Sequence, residues 1–119
     1  MFKVEGDTIK VSRANKGTIT FSIPGYTFQK GDTLEFRVYE KEGLDQLPLK
    51  TKEIKILQDC ESVDISFTTE DMNIGDPANE MIEYWYEIEL NDDDTVVGYD
   101  DETGAKILEL YPKGVEKND

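Results

Sequence analysis

The strongest constraint on the fold is a repeated alternation of apolar and polar residues. Successive side chains of a β-strand point to opposite faces of a sheet, so a period of two indicates a strand with one buried face. The alternation is clearest over residues 18–23, where Ile19, Phe21 and Ile23 share one parity. It recurs in segments 34–38, 53–56 and 63–67; segment 9–11 is a shorter candidate strand, and segments 95–99 and 106–110 complete the set. The sequence therefore predicts a protein built from short strands.

Turn-forming residues separate these segments, for example at Pro24-Gly25, Gly31-Asp32 and Asn91-Asp92. Glycine accepts positive φ, and Asp and Asn side chains bond nearby backbone amides, so such pairs favour turns. The pattern predicts an all-β fold, an antiparallel β-sandwich of immunoglobulin-like or jelly-roll-like type with about seven to nine short strands. The 119 residues fit one domain, which we predict over 1–112, with a frayed C-terminal tail over 113–119.

The segment from Met81 to Leu90 fits two templates. Helical spacing relates Met81, Tyr84, Trp85 and Ile88, whereas strand spacing relates Ile82, Tyr84, Tyr86, Ile88 and Leu90. The strand template explains more positions, and aromatic and β-branched residues favour strands. We therefore predict a strand, with Trp85 on the face that also carries Glu83, Glu87 and Glu89.

Trp85 is consequently an aromatic residue on a polar sheet face. One interpretation is an interface anchor, because tryptophan is enriched at binding hot spots. The other is that a loop or the second sheet covers it, since large aromatic side chains are usually well buried. Trp85 is the one residue that we single out as a possible interface residue.

The charge balance restricts the partners. The chain has 27 acidic and 13 basic residues, a net charge of −14. Binding to nucleic acid or to an anionic membrane needs an excess of cations, so neither is expected as a partner. The acidity keeps the domain soluble, or it provides a face for a basic partner or for cations.

Catalysis is not expected, because the sequence offers no clear general base or activated nucleophile. The chain has no histidine, and its only cysteine, Cys60, lies between Asp59 and Glu61, whose charges disfavour a reactive thiolate. Pairs of carboxylates are abundant, but nothing in the sequence marks one pair as a glycosidase site. We predict no enzyme activity and no cofactor.

The sequence also indicates a cytoplasmic origin. A single cysteine allows no intrachain disulfide, which is typical of proteins from reducing compartments. No apolar run approaches ~18 residues, and the segment after Met1 lacks the apolar stretch of a signal peptide.

An acidic cluster spans residues 91–94 and 100–102 and is the best candidate for a calcium site. Aligned as an EF-hand loop from Asn91, it places Glu102 at the twelfth position but Val96 where glycine is required. The EF-hand interpretation therefore fails. Asp and Asn are ordinary turn formers, so two hairpin turns with acidic ends explain the cluster better.

The order of these features resembles the N-terminal domain of baseplate upper proteins, found in phages and prophages of Gram-positive bacteria. The resemblance covers about residues 6–112 and depends on the combination of several sequence runs. It is carried by Gly6-Asp7-Thr8, by the runs 17–23, 28–38, 62–71 and 83–91, and by the closing runs 95–100 and 108–112.

This resemblance implies a β-sandwich that docks a fibre or receptor-binding protein onto a virion baseplate, without enzyme activity or cofactor. It implies virion or tail proteins, or further copies of the chain, as partners. It also implies a location in the host cytoplasm during assembly and in the virion afterwards. Such domains usually precede a longer coiled or fibrous region, whereas this sequence ends at Asp119.

The alternative function is a small-ligand or carbohydrate-binding β-sandwich. Its motivation is the aromatic run Tyr84-Trp85-Tyr86, because aromatic side chains can stack on sugar rings.

Overall fold

The computed structural model describes residues 1–41, 46–76, 79–92 and 94–113. These ranges contain nine strands and no α-helix. In chain order the strands are β1 (Phe2–Glu5), β2 (Thr8–Ser12), β3 (Gly17–Phe21), β4 (Thr33–Glu40), β5 (Lys50–Lys55), β6 (Val63–Phe67), β7 (Ile82–Leu90), β8 (Asp94–Val97) and β9 (Lys106–Tyr111).

The strands form a large sheet and a small one. The large sheet has seven strands in the order β1-β2-β9-β7-β4-β5, with β8 pairing the C-terminal part of β7 beyond the end of β9. The small sheet consists of β3 and β6. β2 and β9 run parallel, and the other strand pairs in the described ranges are antiparallel.

The core lies between the two sheets and is formed by the apolar side chains that alternate along the strands. β6 shows this most simply, because Val63, Ile65 and Phe67 are buried while the residues between them are exposed. Aromatic rings connect the layers: the centroid of Phe36 in β4 lies 4.9 Å from that of Phe67 and 5.4 Å from that of Tyr86 in β7. Edge-to-face and offset contacts of this kind add to the free energy gained from burial.

The predicted all-β sandwich is confirmed. All the predicted strands are present, and residues 82–90 form the predicted strand β7 rather than a helix. Two features were not predicted. β1 is a short edge strand whose last three residues are exposed, and the β2–β9 pair is parallel, so the large sheet is mixed. The tail predicted over 113–119 lies, apart from Lys113, outside the described residues.

One end of the sandwich is closed by the contact between β1 and β3. The Phe2 ring stacks on Phe67, with centroids 5.8 Å apart, and lies directly over Gly17. A Cβ at Gly17 would overlap the Phe2 ring, so the absence of a side chain there lets β1 approach the small sheet.

We expect Gly17→Ala to lower the free energy of unfolding by about 1–3 kcal/mol, because the added methyl group must displace the Phe2 ring. Urea unfolding followed by fluorescence measures this loss. In a Phe2→Ala background the same substitution should cost much less. Equal costs in both backgrounds would show that the contact does not limit the packing.

A second closure joins the edge of the large sheet to the turn after β6. The Asp71 carboxylate accepts hydrogen bonds from Lys52 Nζ at 2.7 Å and from the Thr68 amide at 2.8 Å, and Lys50 Nζ lies 3.1 Å away. Burial alone would raise the pKa of Asp71, but the bonds from Lys52, Thr68 and Lys50 outweigh burial and hold the pKa well below its usual range.

The lowered pKa means that Asp71 stabilises the fold above the ordinary carboxyl pKa of about 4, and that this contribution is lost as the pH falls further. We expect Asp71→Asn to cost about 2 kcal/mol at pH 7. The difference from the wild type should shrink near pH 3. Urea unfolding at both pH values tests this, and an unchanged difference would contradict the ionic role.

Candidate functional site

Trp85 lies near the middle of the outer face of the large sheet. β7 runs between β4 on one side and β9 with β8 on the other. Its Tyr84 and Tyr86 are buried in the core, so Trp85 between them projects from the opposite face. Because the two sheets of the sandwich include every strand of the described ranges, no strand covers this outer face.

Trp85 belongs to a row of large side chains that crosses three strands. The register places it opposite Tyr39 of β4 and Ile107 of β9. Directly opposite residues on one face have Cβ atoms about 5 Å apart, so these side chains are neighbours. Tyr39 is buried, whereas Trp85 and Ile107 are half-buried.

The loop after β8 adds a fourth member to this row. Tyr99 lies with its ring centroid 6.2 Å from that of Trp85, at an interplanar angle of 32°, and is 56% exposed. Glycine before it allows the chain to pass close to the sheet, since a Cβ at Gly98 would lie 2.8 Å from Cγ2 of Thr95. We call Tyr39, Trp85, Tyr99 and Ile107 the Trp85 patch.

The loop that carries Tyr99 is held by a tight turn. Asp100 and Gly104 exchange two backbone hydrogen bonds, and the Asp100 carboxylate accepts the amides of Glu102 and Thr103. These two amide bonds lower the pKa of Asp100. The acidic residue therefore acts as a turn former directly after Tyr99.

An ionic cluster borders the patch on one side. Arg37 of β4 donates from Nε to Glu35 at 2.6 Å and from Nη1 to Glu87 at 3.3 Å, and it also contacts Glu89. The Tyr39 hydroxyl donates to the same Glu87 oxygen at 2.8 Å. Burial, followed by this bond to Glu87, raises the pKa of Tyr39 to about 12, so its hydroxyl stays a donor at neutral pH.

This ionic cluster therefore contains three carboxylates and one guanidinium group. All four side chains are 16–19% exposed, which is low for charged groups on a sheet face.

A pair of carboxylates borders the patch on the other side. Glu83 of β7 lies opposite Glu109 of β9. Among the described residues, Glu83 has one loose ion pair, with Lys41 Nζ at 3.6 Å, and Glu109 accepts the Tyr111 hydroxyl at 2.8 Å. The aromatic row thus lies between two sets of carboxylates, both on the outer face.

The structure revises one of the sequence interpretations. The run Tyr84-Trp85-Tyr86 does not form an aromatic surface, because Tyr84 and Tyr86 face the core and the Tyr86 hydroxyl donates to the Asp7 carbonyl. The predicted polar face with Glu83, Glu87 and Glu89 is observed around Trp85. Its interface role stays a prediction.

Sequence reasoning did not identify the other members of the patch. Tyr39 had a visible signal, since it continues the outward parity of Glu35 and Arg37 in β4. Tyr99 had none, because a loop brings it to Trp85.

The acidic segment 91–102 does not converge on one point. Asn91 and Asp92 adopt positive φ in the β7–β8 turn, and Asp100 lies in the separate turn after β8. Across the described ranges, no group of three or more His, Cys, Asp or Glu side chains is arranged to hold a metal ion. Asp93 lies outside these ranges.

Within the described ranges, no helix has the length and apolar character needed to cross a membrane. Comparison with protein-family models, curated proteins and solved structures found no match to the chain.

We expect Arg37→Met to lower the free energy of unfolding by about 3 kcal/mol, because three half-buried carboxylates lose their shared cation. The sharper test adds Glu89→Gln. This second substitution should destabilise the wild type, where it removes a bond to Arg37, but stabilise Arg37→Met, where it relieves repulsion. Urea unfolding of the four proteins measures both effects, and the same sign in both backgrounds would refute the role of Arg37 as the shared cation of these carboxylates.

Proposed function

We propose that this chain is a non-catalytic structural domain that works through protein–protein contact, as a component of a phage or prophage tail or baseplate. The Trp85 patch is its docking surface. The partner is another tail protein or a further copy of the chain, first in the host cytoplasm and then in the virion.

The observation that carries the proposal is the position of Trp85. It is half-buried on an outer sheet face, beside the exposed Tyr99. Among the described residues, Trp85 has a ring contact with Tyr99, and its indole N–H has no acceptor. Tryptophan and tyrosine side chains are enriched at the centres of protein interfaces. Their rings bury a large apolar area, and the indole N–H or the hydroxyl group can bond the partner.

The phage assignment is supported by the ordered sequence runs rather than by the patch. Gly6 and Gly31 both have positive φ at turns that lead into strands, at 60° and 97°. Asp32 accepts hydrogen bonds from the Tyr26 hydroxyl and the Gln29 amide, which fixes the entry to β4. The Gly-Asp runs that carry the resemblance therefore have structural roles in this sandwich.

The alternative, carbohydrate binding, is favoured by one specific observation. The rings of Trp85 and Tyr99 form an adjacent pair, tilted by 32°, with the Glu87 carboxylate nearby in the strand. Such a pair offers a surface on which a sugar ring can stack, and carboxylates can bind its hydroxyl groups. A glycan array, followed by titration of Trp85 fluorescence with any glycan that binds, distinguishes this alternative. Binding of a glycan with a change in Trp85 fluorescence would support it.

The proposed function is tested with the full chain and with tail proteins encoded by neighbouring genes. We expect one of them to bind, and Trp85→Ala to weaken that binding about 30-fold or more, the effect of losing a hot-spot residue of about 2 kcal/mol. Leu57→Ala is the matched control, because Leu57 is 81% exposed and lies outside the patch.

Thermal melts of both variants exclude an effect through unfolding. A chain that binds no tail protein and no copy of itself, or that binds equally well without Trp85, would refute the docking function.

A further inference from the structure

The Trp85 patch has carboxylates at regular distances on both sides along β7. Glu83 and Glu87 are two residues before and two residues after Trp85, on the same face. A strand rises about 3.3 Å per residue, so the Cα atoms of Glu83 and Glu87 lie about 13 Å apart with Trp85 between them. An extended segment of another protein has the same repeat.

Both carboxylates retain oxygen atoms for an external donor. The hydrogen bonds from Arg37 and Tyr39 both go to Oε1 of Glu87, which leaves Oε2 without a hydrogen bond in the described part of the chain. The Glu83 side chain is 37% exposed, and its one ion pair within the described ranges is with Lys41, itself 60% exposed. Such an exposed pair contributes little and is easily exchanged.

We propose that the Trp85 patch binds an extended basic segment of the partner protein. In this segment an apolar residue packs on Trp85, and arginine or lysine residues two positions before and after it pair with Glu83 and Glu87. This inference rests on the proposed docking function and specifies the chemistry of the partner.

Charge complementarity selects this occupant over others. A second copy of the chain docked through the same face would bring like carboxylates together, on molecules that each carry a net charge of −14. Nucleic acid would place phosphates against the same carboxylates. A basic segment places one cation against each set of carboxylates, and alternation gives it the correct spacing for one apolar and two cationic side chains.

The probe is a nine-residue peptide with arginines two positions before and two after a central leucine, and with serine, threonine and glycine elsewhere. Its control has the same composition, but both arginines precede the leucine directly. Trp85 is the only tryptophan of the chain, so its fluorescence reports binding at the patch. The titration is done at 0.15 M salt, because salt at this concentration screens attraction between exposed charges more than about 8 Å apart.

We expect the spaced peptide to bind at least about threefold more tightly than the control peptide. Glu83→Gln should weaken its binding about threefold, as expected for one exposed ion pair. Glu61→Gln makes the same change in net charge at an exposed residue next to the small sheet and should have no effect. Tyr99→Ala, which changes an exposed residue in contact with Trp85, should weaken binding while leaving the melting temperature close to that of the wild type.

Equal binding of the two peptides, or equal effects of Glu83→Gln and Glu61→Gln, would overturn the inference, because attraction would then depend only on net charge. The docking function has its own test in the Trp85→Ala variant with tail proteins. A tail protein that needs Trp85, together with a peptide that shows no preference, would refute the basic segment alone. Loss of both results would refute both proposals.

Discussion

Burial of one face of the large sheet beneath the β3–β6 pair is the constraint on which the structure depends. A two-stranded sheet is marginal by itself, so it must bury its apolar face against the larger sheet to persist. Bulky rings fill the space between the layers, with Phe28 and Phe36 almost fully buried. The Phe2 and Asp71 contacts then close the sandwich at two places on its margin, through packing and through charge.

The same constraint determines what the outer face can carry. Once Tyr84 and Tyr86 are buried, the parity of β7 forces Trp85 outward, and a slip of one residue would exchange the two sets. The register of β7 with β4 then places Tyr39 and Arg37 beside Trp85 and Glu87. The central part of the patch and its carboxylates is therefore a consequence of core packing, and Trp85 lies on the central strand β7, between β4 and β9.

Local patterns predicted much of this arrangement, and pairing explains the rest. β4, β6 and β7 have alternation long enough to identify both strand and face from the sequence. β1 has only four residues and three of them are exposed, so its pattern is too short to recognise. The parallel pairing of β2 with β9, and the contact of Tyr99 with Trp85, join residues that are distant in sequence or lie in a loop, and periodicity contains no information about such neighbours.

The fold also shows that the acidic residues are of two kinds, those that form turns and those on the strands. Asp32 and Asp100 bond backbone amides and shape turns, which explains their presence without any ligand. Glu83 and Glu87 have no such task, because a strand needs no side chain to satisfy its backbone. Their carboxylates stand on both sides of a tryptophan, where they oppose packing against another acidic surface and favour a cationic one. Net charge and local position therefore give different information: the first disfavours acidic partners in general, and the second indicates where on this domain a cationic group is favoured.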